Sequence, residues 1–275
     1  MGPATHYEHS GKAPLGGILL TLIVGTVAGV VLGAIYGFLI EWSPFIYINL
    51  FITLGFSLGL AAAVGIAAKL GKIRNATVVT VLALLVATLA YGVHWAIWIS
   101  QMTEAPMLSP KEIWEMISAI NLIGPWSIFG WTPTGFSLWA IWGIEAAAIL
   151  GISAISARGI NDVPFCEATG RWATEVTLPL HFAPLSDTAE FNSPGSLMGA
   201  LRPAEDDSAA YTTVSVSTVE ESDLRCVSIE SVTVETNKKG EEQTNKTNVV
   251  KNLLFDRDSF ERLLRIAQPA ANQGL

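Results

Sequence analysis

The sequence is poor in charge. Only 15% of its 275 residues are Asp, Glu, Lys or Arg, whereas soluble globular proteins carry about 25%, and 51% of the residues are hydrophobic. The charges are also unevenly placed: residues 1–157 hold 11 of them, and residues 158–275 hold 29, with an excess of seven acidic residues. A single soluble domain is therefore excluded, and the chain divides into an apolar part followed by an acidic, more polar part.

Cysteine and basic residues are also scarce. Cys166 and Cys226, the two cysteines, lie 60 residues apart, which is the pattern of neither a disulfide framework nor a four-cysteine metal site. With 16 Lys and Arg against 24 Asp and Glu, the net charge is −8. A chain of this charge is not suited to nucleic acid, whose phosphates attract basic surfaces. It also lacks a polybasic run that would bind anionic lipid.

The apolar part contains four stretches long enough to cross a bilayer, which takes about 20 apolar residues. They are residues 16–40, 45–68, 76–101 and 135–157. The first is longer than the apolar core of a signal peptide, about 7–15 residues, and no basic segment precedes it. We therefore predict an integral membrane bundle of four transmembrane helices, preceded by a cytoplasmic tail of residues 1–15.

Lysine and arginine in short loops indicate which way a membrane protein is oriented, because they collect on the cytoplasmic side. The loop between the second and third stretches carries Lys69, Lys72 and Arg74, and Arg158 follows the fourth stretch. The loop after the first stretch carries only Glu41. This bias predicts that both termini are cytoplasmic. The general character of the sequence is that of a bacterial inner-membrane protein.

The connection of residues 102–134 contains a helix signal. Ser109 is a candidate N-cap, Pro110 suits the first helical position, and apolar residues then recur at helical spacing up to Gly124. We predict a short amphipathic helix in the membrane interface.

Tryptophan also prefers that interface, and eight of the nine tryptophans lie near the predicted non-cytoplasmic ends of the helices: Trp42, Trp95, Trp98, Trp114, Trp126, Trp131, Trp139 and Trp142.

Eighteen of the 24 glycines precede residue 158. Four of them recur at every fourth position of the first stretch and form one ridge: Gly25, Gly29, Gly33 and Gly37. Small-residue ridges let helix backbones approach closely in lipid, where hydrophobic association is weak. The ridge predicts tight packing, either within the bundle or between subunits of a homo-oligomer; a glycine-lined pore is a third interpretation. A shorter row in the fourth stretch consists of Gly143, Ala147 and Gly151.

Two titratable residues lie inside the predicted membrane core. Glu145 is near the middle of the fourth stretch, and His94 is in the outer half of the third. A charge at that depth is costly, so we expect each group to be neutral, paired or facing water. Their depths differ by about 8 Å at the helical rise, which allows a direct or water-bridged contact. The pair is interpreted as a hydrogen bond that fixes the bundle, as part of a proton or cation path, or as a ligand site; Tyr91 and Ser100 are polar neighbours.

Residues 158–275 have the composition of a cytoplasmic α+β domain. A strand is predicted at 174–182, and alternating segments further along the chain predict an antiparallel meander: 211–219, 225–236 and 244–255. A skipped position between Ile229 and Val232 predicts a β-bulge. A capping box that begins at Asp258 predicts a C-terminal helix.

Residues 165–172 resemble a zinc-ribbon knuckle, Cys-x-x-Cys-Gly-x-Trp, with Thr169 in place of the second cysteine. Structural zinc takes about four ligands, and this domain offers only Cys166, Cys226 and His181 as Cys or His ligands. We therefore expect no metal and no cofactor, and a tight turn at Cys166.

These patterns together predict a multi-pass membrane protein with a non-enzymatic, structural or partner-binding role. Its expected partners are the bilayer and either a second copy of the chain or another membrane protein. The alternative is a small transporter or channel with Glu145 and His94 in its path, and a membrane enzyme built on the same pair is the third possibility.

Overall fold

A computed structural model of the chain describes residues 6–43, 46–106, 109–127, 129–160, 162–185, 191–204, 209–236 and 242–267. The chain forms two compact units. The helical unit comprises Ser10–Asp162, and the sheet unit combines Val163–Leu275 with Met1–His9. The segment predicted as a tail of residues 1–15 is therefore divided between the two units after His9.

Among the described residues of the helical unit are four long helices and one short helix. They are α1 (Leu15–Trp42), α2 (Ile46–Leu70), α3 (Ala76–Thr103), the short α4 (Pro110–Ile123) and α5 (Phe136–Gly159). The four long helices have the length and composition needed to cross a membrane. The prediction of four apolar helices is confirmed, and each end lies within two residues of the predicted one. The start of α3 has a side-chain cap, since Asn75 Oδ1 accepts a hydrogen bond from the Val78 amide at 3.0 Å.

The long helices pack as a bundle in which α1 contacts α2 and α3, and α5 contacts the same two helices. The core between them is built mainly of small and β-branched side chains, among them Val64, Val86, Ala87 and Ala90, with the large ring of Tyr36 fully buried. Long apolar side chains point outward instead, as on α1, where Ile23 and Val27 are exposed. Such a surface suits a lipid environment.

α4 begins and ends where the sequence predicts, between Ser109 and Gly124. Its buried residues Ile117 and Ile120 belong to a second cluster that also contains three tryptophans: Trp95, Trp98 and Trp142. These three tryptophans are buried between helices, and their predicted position near the non-cytoplasmic ends of the helices stays a prediction. They pack edge to face, with centroids of Trp95 and Trp142 5.0 Å apart, because α3, α4 and α5 converge around them.

In the ranges that the structure describes, the sheet unit contains six strands and two helices. They are β1 (Phe165–Cys166), β2 (Arg171–Trp172), β3 (Thr174–Thr177), α6 (Pro194–Ala200), β4 (Ala210–Thr218), β5 (Arg225–Thr236), β6 (Glu242–Leu254) and α7 (Arg257–Ile266). β1 and β2 form a small hairpin, and the other strands form one antiparallel sheet in the order β3-β4-β5-β6. The predicted antiparallel meander is therefore confirmed. One sheet face packs against α6 and α7, where Leu197 and Leu263 are buried with Val214 and Ile229.

Two local predictions for this unit need correction. The irregularity lies in β6 and not in β5. The register shifts between Val227 and Ile229 and again between Ile229 and Glu230, and at each shift β6 carries one extra residue. The N-cap of α7 is Asp256, two residues before the predicted one, and its Oδ1 accepts a hydrogen bond from the Ser259 amide at 2.9 Å. Hydrogen bonding to Ser259 keeps the pKa of Asp256 below its ordinary value.

Residues 6 and 7, near the N-terminus, pair with the edge of β6. His6 forms a bridge with Leu253, and the Tyr7 amide donates to the Asn252 carbonyl at 2.8 Å. The Tyr7 hydroxyl accepts a hydrogen bond from the Phe165 amide at 2.9 Å. A strand edge that would otherwise be open is therefore covered over this short length.

Candidate functional site: a polar cluster in the helical bundle

Tyr36 of α1, Thr53 of α2 and Glu145 of α5 meet inside the bundle. The Tyr36 hydroxyl donates to Glu145 Oε1 at 2.5 Å and lies 2.8 Å from the hydroxyl of Thr53. Only 1% of the Tyr36 side chain is exposed, and Glu145 is half-buried. One hydroxyl group therefore joins three helices and provides the carboxyl group with a partner in surroundings where an unpaired charge is costly.

The position of the Tyr36 ring depends on the glycine ridge beside it. A Cβ atom at Gly33 would lie 2.4 Å from the Ala90 carbonyl oxygen, so α1 and α3 can approach this closely only without a side chain there. The close approach buries Tyr36, whose ring stacks on Phe56 with centroids 4.3 Å apart and planes 4° from parallel. The hydroxyl is thereby directed toward α2 and α5.

His94 of α3 lies against the same tyrosine. Its ring centroid is 4.6 Å from that of Tyr36, 5.5 Å from that of Tyr91 and 5.4 Å from that of Trp95. Only 3% of His94 is exposed, and neither ring nitrogen has a hydrogen-bond partner among the described residues. His94 therefore occupies an aromatic cage whose polar neighbour is the Tyr36–Glu145 pair.

The structure thus brings His94 and Glu145 together through Tyr36. The direct hydrogen bond that their depths allow is not formed, because the His94 nitrogens are unpartnered within the described part of the chain. Sequence reasoning missed Tyr36, although a signal was present: it is a phenol in a charge-free stretch, next to Gly37 of the ridge. Of the two neighbours named from sequence, Tyr91 contacts His94, and Ser100 donates to the Ala96 carbonyl of its own helix at 2.6 Å.

Further hydroxyl groups form hydrogen bonds along α2 and between α2 and α5. Ser57 donates to the Thr53 carbonyl at 2.7 Å, and the buried Ser153 of α5 donates to the Ser57 carbonyl at 3.1 Å. Thr53 and Ser57 lie four residues apart and so share one face of α2. These bonds satisfy the hydroxyls on main-chain oxygens and add a second link between α2 and α5.

The four glycines of the predicted ridge all face α3 of the same chain. Cβ atoms at Gly25 and Gly37 would lie 2.7 Å from Val86 Cγ2 and 2.9 Å from Ile97 Cγ2, and one at Gly29 would lie 3.4 Å from Val86 Cγ1. The ridge face is therefore filled within one chain. The row on α5 differs, because added Cβ atoms at Gly143 and Gly151 would meet nothing within 4 Å.

The zinc-knuckle-like segment forms a tight hairpin turn between β1 and β2. The Gly170 amide donates to the Cys166 carbonyl at 2.8 Å, and Gly170 adopts a φ of +65°, which favours glycine. Hydrogen bonding from Thr169 lowers the pKa of the Cys166 thiol, whereas burial raises that of Cys226 to about 12. Within the described ranges, no group of three or more His, Cys, Asp or Glu residues could hold a metal ion.

Comparisons with known protein families, with curated proteins and with solved structures found no match. The candidate site therefore rests on its own chemistry. It contains one carboxyl group, one imidazole and two phenols in contact within the helical unit, which is a set able to bind and exchange protons. The same groups also join helices, and the two roles make different experimental predictions.

Proposed function

We propose that this chain is a multi-pass membrane protein with a non-enzymatic role, in which a tightly packed helical bundle is the structural anchor of a partner-binding, sheet-containing domain. The observation that carries the proposal is the bonding of interior polar groups to one another across helices. Tyr36 links α1 to Glu145 of α5, and Ser153 links α5 to α2. In an apolar environment such bonds, together with glycine-mediated contact, are what hold helices together.

The charged ends of the helices support a cytoplasmic position for both termini of the chain. Lys69 lies in the last turn of α2 and Arg158 in the last turn of α5, and Lys72 and Arg74 follow α2. Lysine and arginine next to membrane helices favour the cytoplasmic side. Four spans return the chain to the side on which it began, which agrees with the grouping of residues 6–9 with the sheet unit.

The bundle also limits how a homo-oligomer or a complex with another membrane protein would form. The ridge of α1 is filled by α3, so in this proposal the contacts between chains lie elsewhere. The sheet unit carries most of the charge of the sequence and is the part of the chain exposed to soluble partners.

A reconstitution experiment tests the anchor role. Glu145→Gln and His94→Ala variants of the full-length protein are placed in liposomes, and proton and potassium flux are measured with entrapped dyes alongside the unfolding midpoint in detergent. We expect flux equal to that of protein-free liposomes for all three proteins, and a lower midpoint for both variants because each alters a buried contact. The exposed Tyr47→Phe serves as the control and should leave the midpoint unchanged.

A second candidate function, a small transporter or channel, is favoured by one observation. His94 lies in contact with Tyr36, whose hydroxyl binds Glu145, so two titratable groups flank one phenol. If the wild-type protein conducts protons above the protein-free level and Glu145→Gln abolishes that flux, the anchor proposal is overturned in favour of a path through this cluster.

A further inference from the structure

The cluster around Tyr36 brings four titratable side chains into contact. The titratable side chains that face it are Tyr36 from α1, His94 and Tyr91 from α3, and Glu145 from α5; α2 contributes the neutral Thr53. The ion pairs seen among the described residues do not involve Glu145. The net charge of the cluster is therefore set by how many protons Glu145 and His94 hold.

Burial selects among the protonation states. With Glu145 ionised and His94 neutral, the cluster carries one negative charge; with both protonated, it carries one positive charge. With a single proton on either group, the cluster has no net charge. Since a net charge is costly inside an apolar bundle, the one-proton state is favoured over a wide range of pH.

We propose that Glu145, Tyr36 and His94 form one proton-binding site, which holds a single exchangeable proton between the carboxyl group and the imidazole. On Glu145 the proton forms a neutral carboxyl group, hydrogen-bonded to Tyr36. On His94 it forms an imidazolium beside three aromatic rings with centroids at 4.6 to 5.5 Å, which is within the distance at which aromatic rings attract cations. Tyr36 then donates its hydroxyl hydrogen to the carboxylate. No other reactant is needed, because the proton only changes position.

The side chains favour a proton over a metal cation. Sodium, calcium and magnesium ions are bound by several oxygen ligands, about six or more for calcium and magnesium. Among the described side chains of the cluster, the oxygens that meet at one point belong to Glu145, Tyr36 and Thr53. His94 itself is surrounded by the aromatic rings of Tyr36, Tyr91 and Trp95. A proton requires only one basic atom at a time, and this cluster supplies two.

The site also links proton binding to helix packing. The Tyr36–Glu145 hydrogen bond joins α1 to α5, so moving the proton from the carboxyl group to His94 changes the charge at that junction. This inference goes beyond the anchor role and does not depend on flux: a bundle can bind a proton without passing it across the membrane.

Infrared spectroscopy of the full-length protein in lipid nanodiscs tests the proposal. The carbonyl stretch of a protonated carboxyl group in an apolar setting is followed against pH. We expect one titration step in the wild type, its loss in Glu145→Gln, and a shift of at least about one pH unit, a tenfold change in proton affinity, in both Tyr36→Phe and His94→Phe. Glu104→Gln, at the end of α3 and outside the cluster, is the control and should leave the step unchanged.

Each other result overturns the proposal. A step that persists in Glu145→Gln belongs to another carboxyl group. A step that is lost in Glu145→Gln but unmoved in His94→Phe belongs to Glu145 alone, so the imidazole does not share the proton. If Glu145→Gln does not fold, as judged by circular dichroism, the Tyr36→Phe and His94→Phe shifts decide, because both variants retain the carboxyl group. The anchor proposal fails through flux instead, so the two failures are distinguishable.

Discussion

Helices α1 and α5 carry the same kind of sequence pattern, a small residue at every fourth position, yet the structure uses the two rows differently. On α1 the row lies so close to α3 that a Cβ atom at Gly33 would overlap the Ala90 carbonyl oxygen. On α5 the row meets open space at Gly143 and Gly151. A small-residue row therefore permits close packing but does not determine whether packing occurs.

The difference comes from the facing helix. Opposite the α1 row, α3 presents Val86 and Ala90, and their small side chains leave its main chain accessible to the α1 backbone. The buried residues of α5 include Leu138 and Ile149, and these lie on a different face from Gly143 and Ala147, which are exposed. Substitutions in the two rows should therefore have unequal effects on the stability of the protein, and experiments can test this difference.

The largest effect is expected for Gly33→Leu. The new side chain would force α1 and α3 apart, and overpacking of a close contact costs about 1–3 kcal/mol or more. The unfolding midpoint in detergent, followed by tryptophan fluorescence, should fall sharply while the mass by light scattering stays that of the wild type. A Gly33→Leu variant that keeps its midpoint but shows a smaller mass would mean that the ridge joins subunits, and the contrast with α5 would be reversed.

The helices themselves could be predicted from the sequence because their signals are local. Apolar runs of more than 20 residues mark the helices, and Asn75 caps the start of α3. The alternating segments of the sheet unit lead directly to a meander. The turn at Gly170 could also be anticipated, since glycine and the absence of zinc ligands are both visible in the sequence. Each of these features depends on residues near one another in the chain.

The parts that sequence reasoning missed depend on which helices become neighbours. The partner of Glu145 is Tyr36, 109 positions away, and nothing in either helix alone specifies that pairing. The burial of Trp95 against Trp142 likewise requires α3 and α5 to lie side by side. The pairing of residues 6 and 7 with β6 joins distant ends of the chain. Such contacts follow from tertiary packing, so hydropathy and spacing do not reveal them.

A smaller effect is expected for Tyr36→Phe, which tests the hydrogen-bonded link between α1 and α5. The ring still fills its place on Phe56, but Glu145 loses its hydroxyl donor. Leaving a buried polar group without a partner costs about 1–3 kcal/mol, and the free energy of unfolding should fall by that amount. The matched control is the exposed Tyr47→Phe. Equal midpoints for the two variants would show that the contact between α1 and α5 does not depend on this bond.

The smallest effect is expected for Gly143→Ala. The added methyl group meets nothing within 4 Å, so the free energy of unfolding should change by less than about 0.5 kcal/mol, as for surface substitutions away from special features. Gly33→Ala is the matched variant on α1 and should be clearly destabilising. If Gly143→Ala instead lowers both the midpoint and the particle mass, a second chain covers the α5 row. Both rows would then be packing surfaces, and they would differ only in whether the partner helix belongs to the same chain.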